Sequence, residues 1–243
     1  MKNSSEEKPV AFGVIPVRGE SSGLPEKNTR TLNDQPLLAY MIKSALAARL
    51  ISRVFMSTDS GRVADLASQF GSEVIVHSPH LSTQTAPSFG VIENAAAYFR
   101  KVGARPVIIV TMRVTSPLCS SGDIDAAIEM LIANPDSDSV ISVVRSPVHP
   151  YRTLKINECG ELEHFDSNSP ETNFPMRRQE FGDVYIRNGA IYATRTSVIE
   201  AGTLWGEHCL PYIMPRERSV NINDDVDFLL AETLVRRNQE SQN

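Results

Sequence analysis

The chain has 243 residues, of which 41% are hydrophobic and 22% charged, and its 24 Lys and Arg against 29 Asp and Glu leave a formal net charge of −5. That is apolar matter enough for one large α/β domain, while an acidic balance without a basic block argues against a nucleic-acid partner, and no apolar run nears the 18 residues of a membrane span. Cys119, Cys159 and Cys209 form no C-x-x-C pair, so neither a disulfide framework nor a zinc site is expected, only thiols in a reducing cytoplasm.

Residues 1–9 are polar and acidic and read as a disordered tail, not as a signal peptide. Val10 to Val17 is apolar without alternation, the pattern of a strand buried on both faces. A loop with Gly and Pro follows to Asn28, then a helix over Leu37 to Leu50 with apolar residues at helical spacing. Arg53 to Ser57 reads as a short strand, and Asp59 or Ser60 caps a helix that runs to Phe70 and stops at Gly71. Glu73 to His77 is strand-like, Phe89 to Val102 helical, Pro106 to Met112 a second fully apolar strand, Asp123 to Ala133 a helix, and Ser139 to Val144 a strand. This alternation predicts an α/β fold with a single doubly wound, mostly parallel sheet. Ligands of such sheets sit at the carboxyl ends of the strands, which singles out the loops at 18–28, 57–60, 77–88 and 113–121.

After residue 145 the rhythm changes. Tyr151 to Ile156 and Val184 to Thr194 look like longer strands, and 157–183 is an irregular arm, lid or dimerisation extension. A last helix is expected over Val226 to Arg237, so one domain spans 10–237 and residues 238–243 form a frayed tail.

The first loop holds the chemistry. Between Arg18 and Lys27 lie two glycines that let the backbone turn tightly and approach a ligand. Backbone N–H groups with two cations make a polyphosphate cradle; a surface loop with solvated charges has the same composition. The loop is neither a Walker A loop nor a G-x-G-x-x-G turn.

Ile15, Pro16, Arg18, Ser21, Gly23, Pro25, Lys27 and Asn28 match the nucleotide-binding signature of the acylneuraminate cytidylyltransferases, and the chain resembles that family. Pro36, Leu37 and Tyr40, then Ser57-Thr58-Asp59-Ser60, Thr115-Ser116-Pro117-Leu118, Arg178-Gln179 and Asn188-Gly-Ala-Ile-Tyr192 continue the similarity in order, over about residues 10–235. The resemblance implies a nucleotide-diphospho-sugar transferase-like fold, a homodimer, and transfer of CMP from CTP to the anomeric 2-hydroxyl of a nine-carbon sugar acid (a nonulosonic acid), with loss of pyrophosphate. Arg18 and Lys27 are then the catalytic cations on the triphosphate, and Ser21, Asn28 and Ser88 further nucleotide contacts. Arg152, Arg178, Asn188 and Tyr192 are implied on the sugar side, with Arg178 on the carboxylate. Leu204 and Trp205 stand where members offer an apolar pair; for Trp205 core burial is the simpler expectation.

Several positions depart from the family. Ser22 replaces a Lys, and Glu20 and Glu26 add negative charge beside the loop. Arg113-Val114 replaces Gln-Pro, Cys119 an Arg, and His77 stands where an Arg is common. The largest departure is Asn221-Ile-Asn223, where the family has the Asp pair implied as metal ligands. Alternation puts both side chains on one face, but an amide brings no charge to Mg²⁺, so Mg²⁺ or Mn²⁺ is expected to bind weakly. Asp224 and Asp225 are either replacements or helix N-terminal charges. Two functions follow: a CMP-nonulosonate synthetase for a sialic, legionaminic or pseudaminic type of acid, or a weakly active or inactive homologue serving as a nucleotide- or sugar-binding or regulatory partner. A transferase for the eight-carbon acid Kdo is disfavoured by Arg178-Gln179 and Asn188-Gly-Ala-Ile-Tyr192.

Overall fold

The computed structural model describes residues 10–19, 26–82, 89–167 and 182–240. Seven strands form the central sheet: β1 (Ala11–Val17), β4 (Ile51–Thr58), β5 (Glu73–Val76), β6 (Ile108–Met112), β7 (Ser139–Arg145), β10 (Tyr185–Arg195) and β11 (Cys209–Ile213). β2 (Thr31–Leu32) with β3 (Gln35–Pro36), and β8 (Leu154–Ile156) with β9 (Leu162–His164), are small separate hairpins. The order is β11-β7-β10-β6-β1-β4-β5. β1 runs parallel to β4 and β6, β4 to β5, and β11 to β7, while β10 is antiparallel to both β6 and β7. The mostly parallel sheet expected from the alternation is present, with β10 as the reversed strand.

Two apolar layers cover the sheet, and strand alternation decides which residue enters which. From β1, Ala11, Ile15 and Val17 face helices α1 (Leu37–Ala47), α2 (Gly61–Gln69) and α4 (Ser121–Ala133). Phe12 and Val14 face α3 (Phe89–Lys101) and α5 (Thr196–Glu200) on the other side. There Phe12 meets Phe99 edge to face at 5.1 Å, and Phe55 lies 4.9 Å from Phe99. α6 (Asp225–Glu240) stands apart from both layers. Its Phe228, Ala231 and Val235 close a third cluster with Leu32, Leu37, Leu118 and Ile222, which draws the chain at 220–228 back to the carboxyl edge of the sheet.

Local signals account for most boundaries. Ser60 caps α2 by accepting from the Val63 N–H, and Gly71, at φ +90, sits just beyond its end. Ser120 and Asp123 form a reciprocal capping box at α4. Two readings change. Tyr151 is not in a strand: Pro150 opens a 3-10 turn over Pro150–Arg152, the His149 side chain accepts from the Tyr151 N–H, and β8 begins only at Leu154. β11, absent from the sequence reading, is an edge strand able to hold Pro211 because edge positions need not donate. Among the described residues no helix is long and apolar enough to cross a membrane.

Candidate functional site

β1, β4, β5 and β6 all end at one edge of the sheet, and the segments that follow them build the site. Arg18, half-buried, continues β1 directly. The next N–H, of Gly19, donates to Asp59 Oδ1 at 2.8 Å, so the loop after β1 is strapped to the loop after β4. Asn28 ties the far side of the same loop by donating to the Arg18 carbonyl at 3.3 Å. Glu26 takes φ +51, and its carbonyl accepts from the Thr29 and Arg30 N–H groups at 2.9 and 3.0 Å, which starts the short turn carrying Lys27. The Glu26 carboxylate is ion-paired with Arg62, so its charge is spent there. Glu20 and Ser22 lie outside the described residues.

Lys27 is the best-defined cation of this edge. Its Nζ donates to the Ile222 carbonyl at 2.9 Å, and the Ile222 N–H donates to the Thr115 carbonyl at 2.8 Å. One buried residue of the returning segment therefore joins the loop after β1 to the loop after β6. Burial lowers the Lys27 pKa below that of a free lysine, with the Asp227 carboxylate opposing.

Asn221 and Asn223 flank buried Ile222 and are more open to solvent, in a segment that forms no strand. Asn223 donates its amide to the Asn221 carbonyl at 3.0 Å. The three carboxylates just downstream are all committed. Asp227 accepts from the Asn223 N–H at 2.8 Å, Asp224 accepts from the Asp227 N–H at 2.9 Å, and Asp225 pairs with Arg30 at 2.8 Å. Asp224 is thus a helix-capping residue, the structural alternative raised by the sequence. No group of three or more His, Cys, Asp or Glu that could hold a metal occurs among the described residues. Two neutral amides and three engaged carboxylates do not fit a divalent cation held by the protein itself.

On the implied sugar side, Asn188 changes role. It is 3% exposed, and all four of its hydrogen-bonding positions are filled. Its oxygen accepts from Ser142 Oγ at 2.6 Å and the Ala190 N–H at 3.2 Å, and its nitrogen faces Ser219 Oγ at 3.0 Å and Met214 Sδ at 3.1 Å. It is a brace between β7, β10 and the segment after β11, with no polar atom left for a ligand. Tyr192, at 7% exposure, lies in β10 opposite Thr111 on one side and Ile141 on the other. Arg152 is exposed at the foot of the β8–β9 hairpin. Trp205, expected in the core, is 44% exposed with the Arg187 guanidinium 5.5 Å from its ring centre. Ser21, Ser88 and Arg178 lie outside the described residues. Of the expected set, Arg18, Lys27, Asn28, Asn221 and Asn223 come together at the carboxyl edge.

His77 ends the segment after β5. It is 4% exposed, with Nδ1 3.0 Å from Ser57 Oγ, and burial lowers its pKa against the pull of Asp59. The ring therefore gives up its proton more readily than a free imidazole. Two residues escaped the sequence reading. Asp59 reads in the sequence as a possible helix cap and as part of the Ser57–Ser60 motif, but not as the acceptor of the Gly19 N–H that straps the two loops together. Arg113, noted only as a departure, stands beside Asn221 and Gly189 at the end of β6: a Cβ built on Gly189 would lie 3.5 Å from the Asn221 amide nitrogen and 3.9 Å from Arg113 Cδ.

A family model described as cytidylyltransferase matches residues 12–213. The chain is 32% identical over 224 residues to N-acylneuraminate cytidylyltransferase A of Danio rerio, an alignment covering 92% of this chain and 50% of that protein. It is 29% identical over 242 residues to CMP-N,N'-diacetyllegionaminic acid synthase of Legionella pneumophila, covering 95% and 98%. The chain thus spans about half the length of the N-acylneuraminate cytidylyltransferases it matches and nearly all of the legionaminic acid enzyme. Among solved structures, a CMP:2-keto-3-deoxy-manno-octonic acid synthetase complexed with CTP superposes with a TM-score of 0.67 at 16% identity, over 94% of this chain and 99% of that one. At that identity the likeness is one of fold.

Proposed function

Since the chain belongs to the cytidylyltransferase family, we propose that it transfers CMP from CTP to the anomeric 2-hydroxyl of a nine-carbon 2-keto sugar acid of sialic, legionaminic or pseudaminic type. The observation that carries this reading is Lys27, half-buried and fixed to Ile222 at the edge where the strands end. In the step, the sugar 2-hydroxyl oxygen forms a bond to the α-phosphorus, the bond from that phosphorus to the α,β-bridging oxygen breaks, and pyrophosphate leaves with the electron pair. The hydroxyl proton passes to solvent. Such a reaction needs alignment and charge stabilisation more than covalent help from the protein. Lys27 and Arg18 supply positive charge to the phosphates, and Asn28 holds the loop closed across Arg18. Ser21, Ser88 and Arg178 complete the nucleotide and carboxylate contacts on this reading. Tyr192 stiffens the sheet under the sugar, and Asn188 fixes the Gly189 turn beside it.

A relative of matching length, a legionaminic acid synthase, favours an acid other than common sialic acid. Ile156, Leu162 and Phe165, at 72, 69 and 66% exposure on and beside the β8–β9 hairpin, form the contact of a homodimer. The three free thiols suit a reducing compartment.

A second reading has one observation in its favour: the neutral Asn221–Asn223 pair fits a chain that binds nucleotide or sugar with little turnover. Pyrophosphate release from CTP with a panel of nonulosonic acids, in Mg²⁺ or Mn²⁺ and against Lys27→Ala as blank, separates the two. Lys27-dependent release with one acid supports the enzyme. Release at the blank level with every acid supports the binder.

A further inference from the structure

The corner around Ile222 gathers hydrogen-bond donors from three segments of the chain. Asn221 and Asn223 contribute amides without charge, Asp225 is ion-paired with Arg30, and Asp224 and Asp227 each accept a backbone N–H at the start of α6. Lys27 Nζ lies against the Ile222 carbonyl from the side of the β1 loop. From the side of the β6 loop, the Arg113 stem and the Asn221 amide converge on Gly189, whose φ of +78 leaves that spot without a side chain. Arg113 is exposed and makes no ion pair or side-chain hydrogen bond among the described residues. In the same turn Ser116 Oγ is buried without a partner. A guanidinium with a fork of donors and no ion pair among the described residues, beside the Asn221 amide, suits an oxyanion.

We propose that Arg113 takes the place of a protein-held divalent cation at this corner, binding the nucleotide's triphosphate directly between Asn221 and Lys27. The inference rests on the cytidylyltransferase reading for the identity of the anion. It makes the chain a nucleotide binder that tolerates removal of divalent metal, and it gives the Asn pair a purpose: two Asp side chains would neutralise the guanidinium and repel the phosphates.

The test is calorimetric binding of CTP to the purified chain, once in Mg²⁺ and once in EDTA, for the natural protein, Arg113→Gln, Arg113→Lys and the double variant Asn221→Asp with Asn223→Asp. Arg113 is exposed, so its variants keep the fold, which a thermal melt verifies. Expected are natural affinities within about threefold of each other in the two media, and a loss of about tenfold or more in EDTA for Arg113→Gln, the scale of one charge-assisted contact. Arg113→Lys recovers part of that loss, and the double Asp variant binds CTP only when Mg²⁺ is present. CTP binding that falls more than tenfold in EDTA for the natural chain, with Arg113→Gln unchanged, overturns the role of Arg113 and leaves the cytidylyltransferase reading standing. A chain that takes up no CTP in either medium overturns both.

Discussion

Lys27 and Ile222, 195 residues apart, are joined by a 2.9 Å hydrogen bond from the lysine Nζ to the isoleucine carbonyl. The bond fixes a cation of the first loop against the segment that leads into α6. It also holds the charge where burial disfavours it, which is the useful state for a group whose counter-charge arrives with the substrate.

Replacing Lys27 tests that arrangement. Lys27→Ala is expected to lower kcat/KM for CTP by about a hundredfold or more, the scale of one oriented donor to developing charge, with Lys27→Arg partly restoring it. Because the Lys27 pKa is lowered from 10.5, the lysine sheds its proton at a lower pH than a free lysine. Activity should therefore decline on an alkaline limb below that value, and Lys27→Arg should move the limb upward. The sign for stability is opposite: in that window the unfolded chain keeps the proton the folded one has lost, so stability rises with pH. A pH–rate profile and urea midpoints across pH 8–10 check both.

Asp123 anchors the start of α4. Burial raises its pKa, but Arg218 at 2.8 and 2.9 Å, Ser120 and the Tyr212 hydroxyl at 2.9 Å outweigh burial and leave it lowered from 3.8. The stabilisation is complete above pH 3.8 and lost as pH falls through the lower folded value. Asp123→Ala strands the Arg218 guanidinium and is expected to cost about 3 kcal/mol. Urea unfolding at pH 7 and in acid measures this: the natural chain should lose stability in acid, and the variant should lose less.

Asp224 separates helix capping from metal binding. Its carboxylate accepts from the Asp227 N–H at 2.9 Å. Asp224→Ala should lower unfolding free energy by about 1 kcal/mol, whereas Asp224→Asn, an equally good cap, should leave stability nearly unchanged. A steep change in Mg²⁺ dependence with Asp224→Asn would show the carboxylate at work on a cation instead.

Gly189 sits at φ +78 with the Asn221 amide in contact range of any added Cβ. Gly189→Ala is expected to cost about 1–2 kcal/mol, the penalty of left-handed backbone for an L-residue. It should also weaken CTP binding, because the Cβ enters the spot shared by Arg113 and Asn221. Thermal melts and nucleotide titration on the same preparation check the pair of effects.

Much of this protein is legible in the sequence. The continuous apolar runs at 10–17 and 106–112 mark strands covered on both faces, and Ser60 and Gly71 bracket a helix. Those signals are local: burial of both strand faces, a side-chain cap and a left-handed turn act within a few residues. The antiparallel insertion of β10, the edge strand β11 and the burial of Asn188 left no such mark, because they depend on which strands become neighbours. The meaning of Asn221, Asn223 and Arg113 was hidden for the same reason. A sequence shows that two amides stand where charge was expected, but only the folded chain brings an arginine from the end of β6 beside one of them, because charge acts through space and not along the chain.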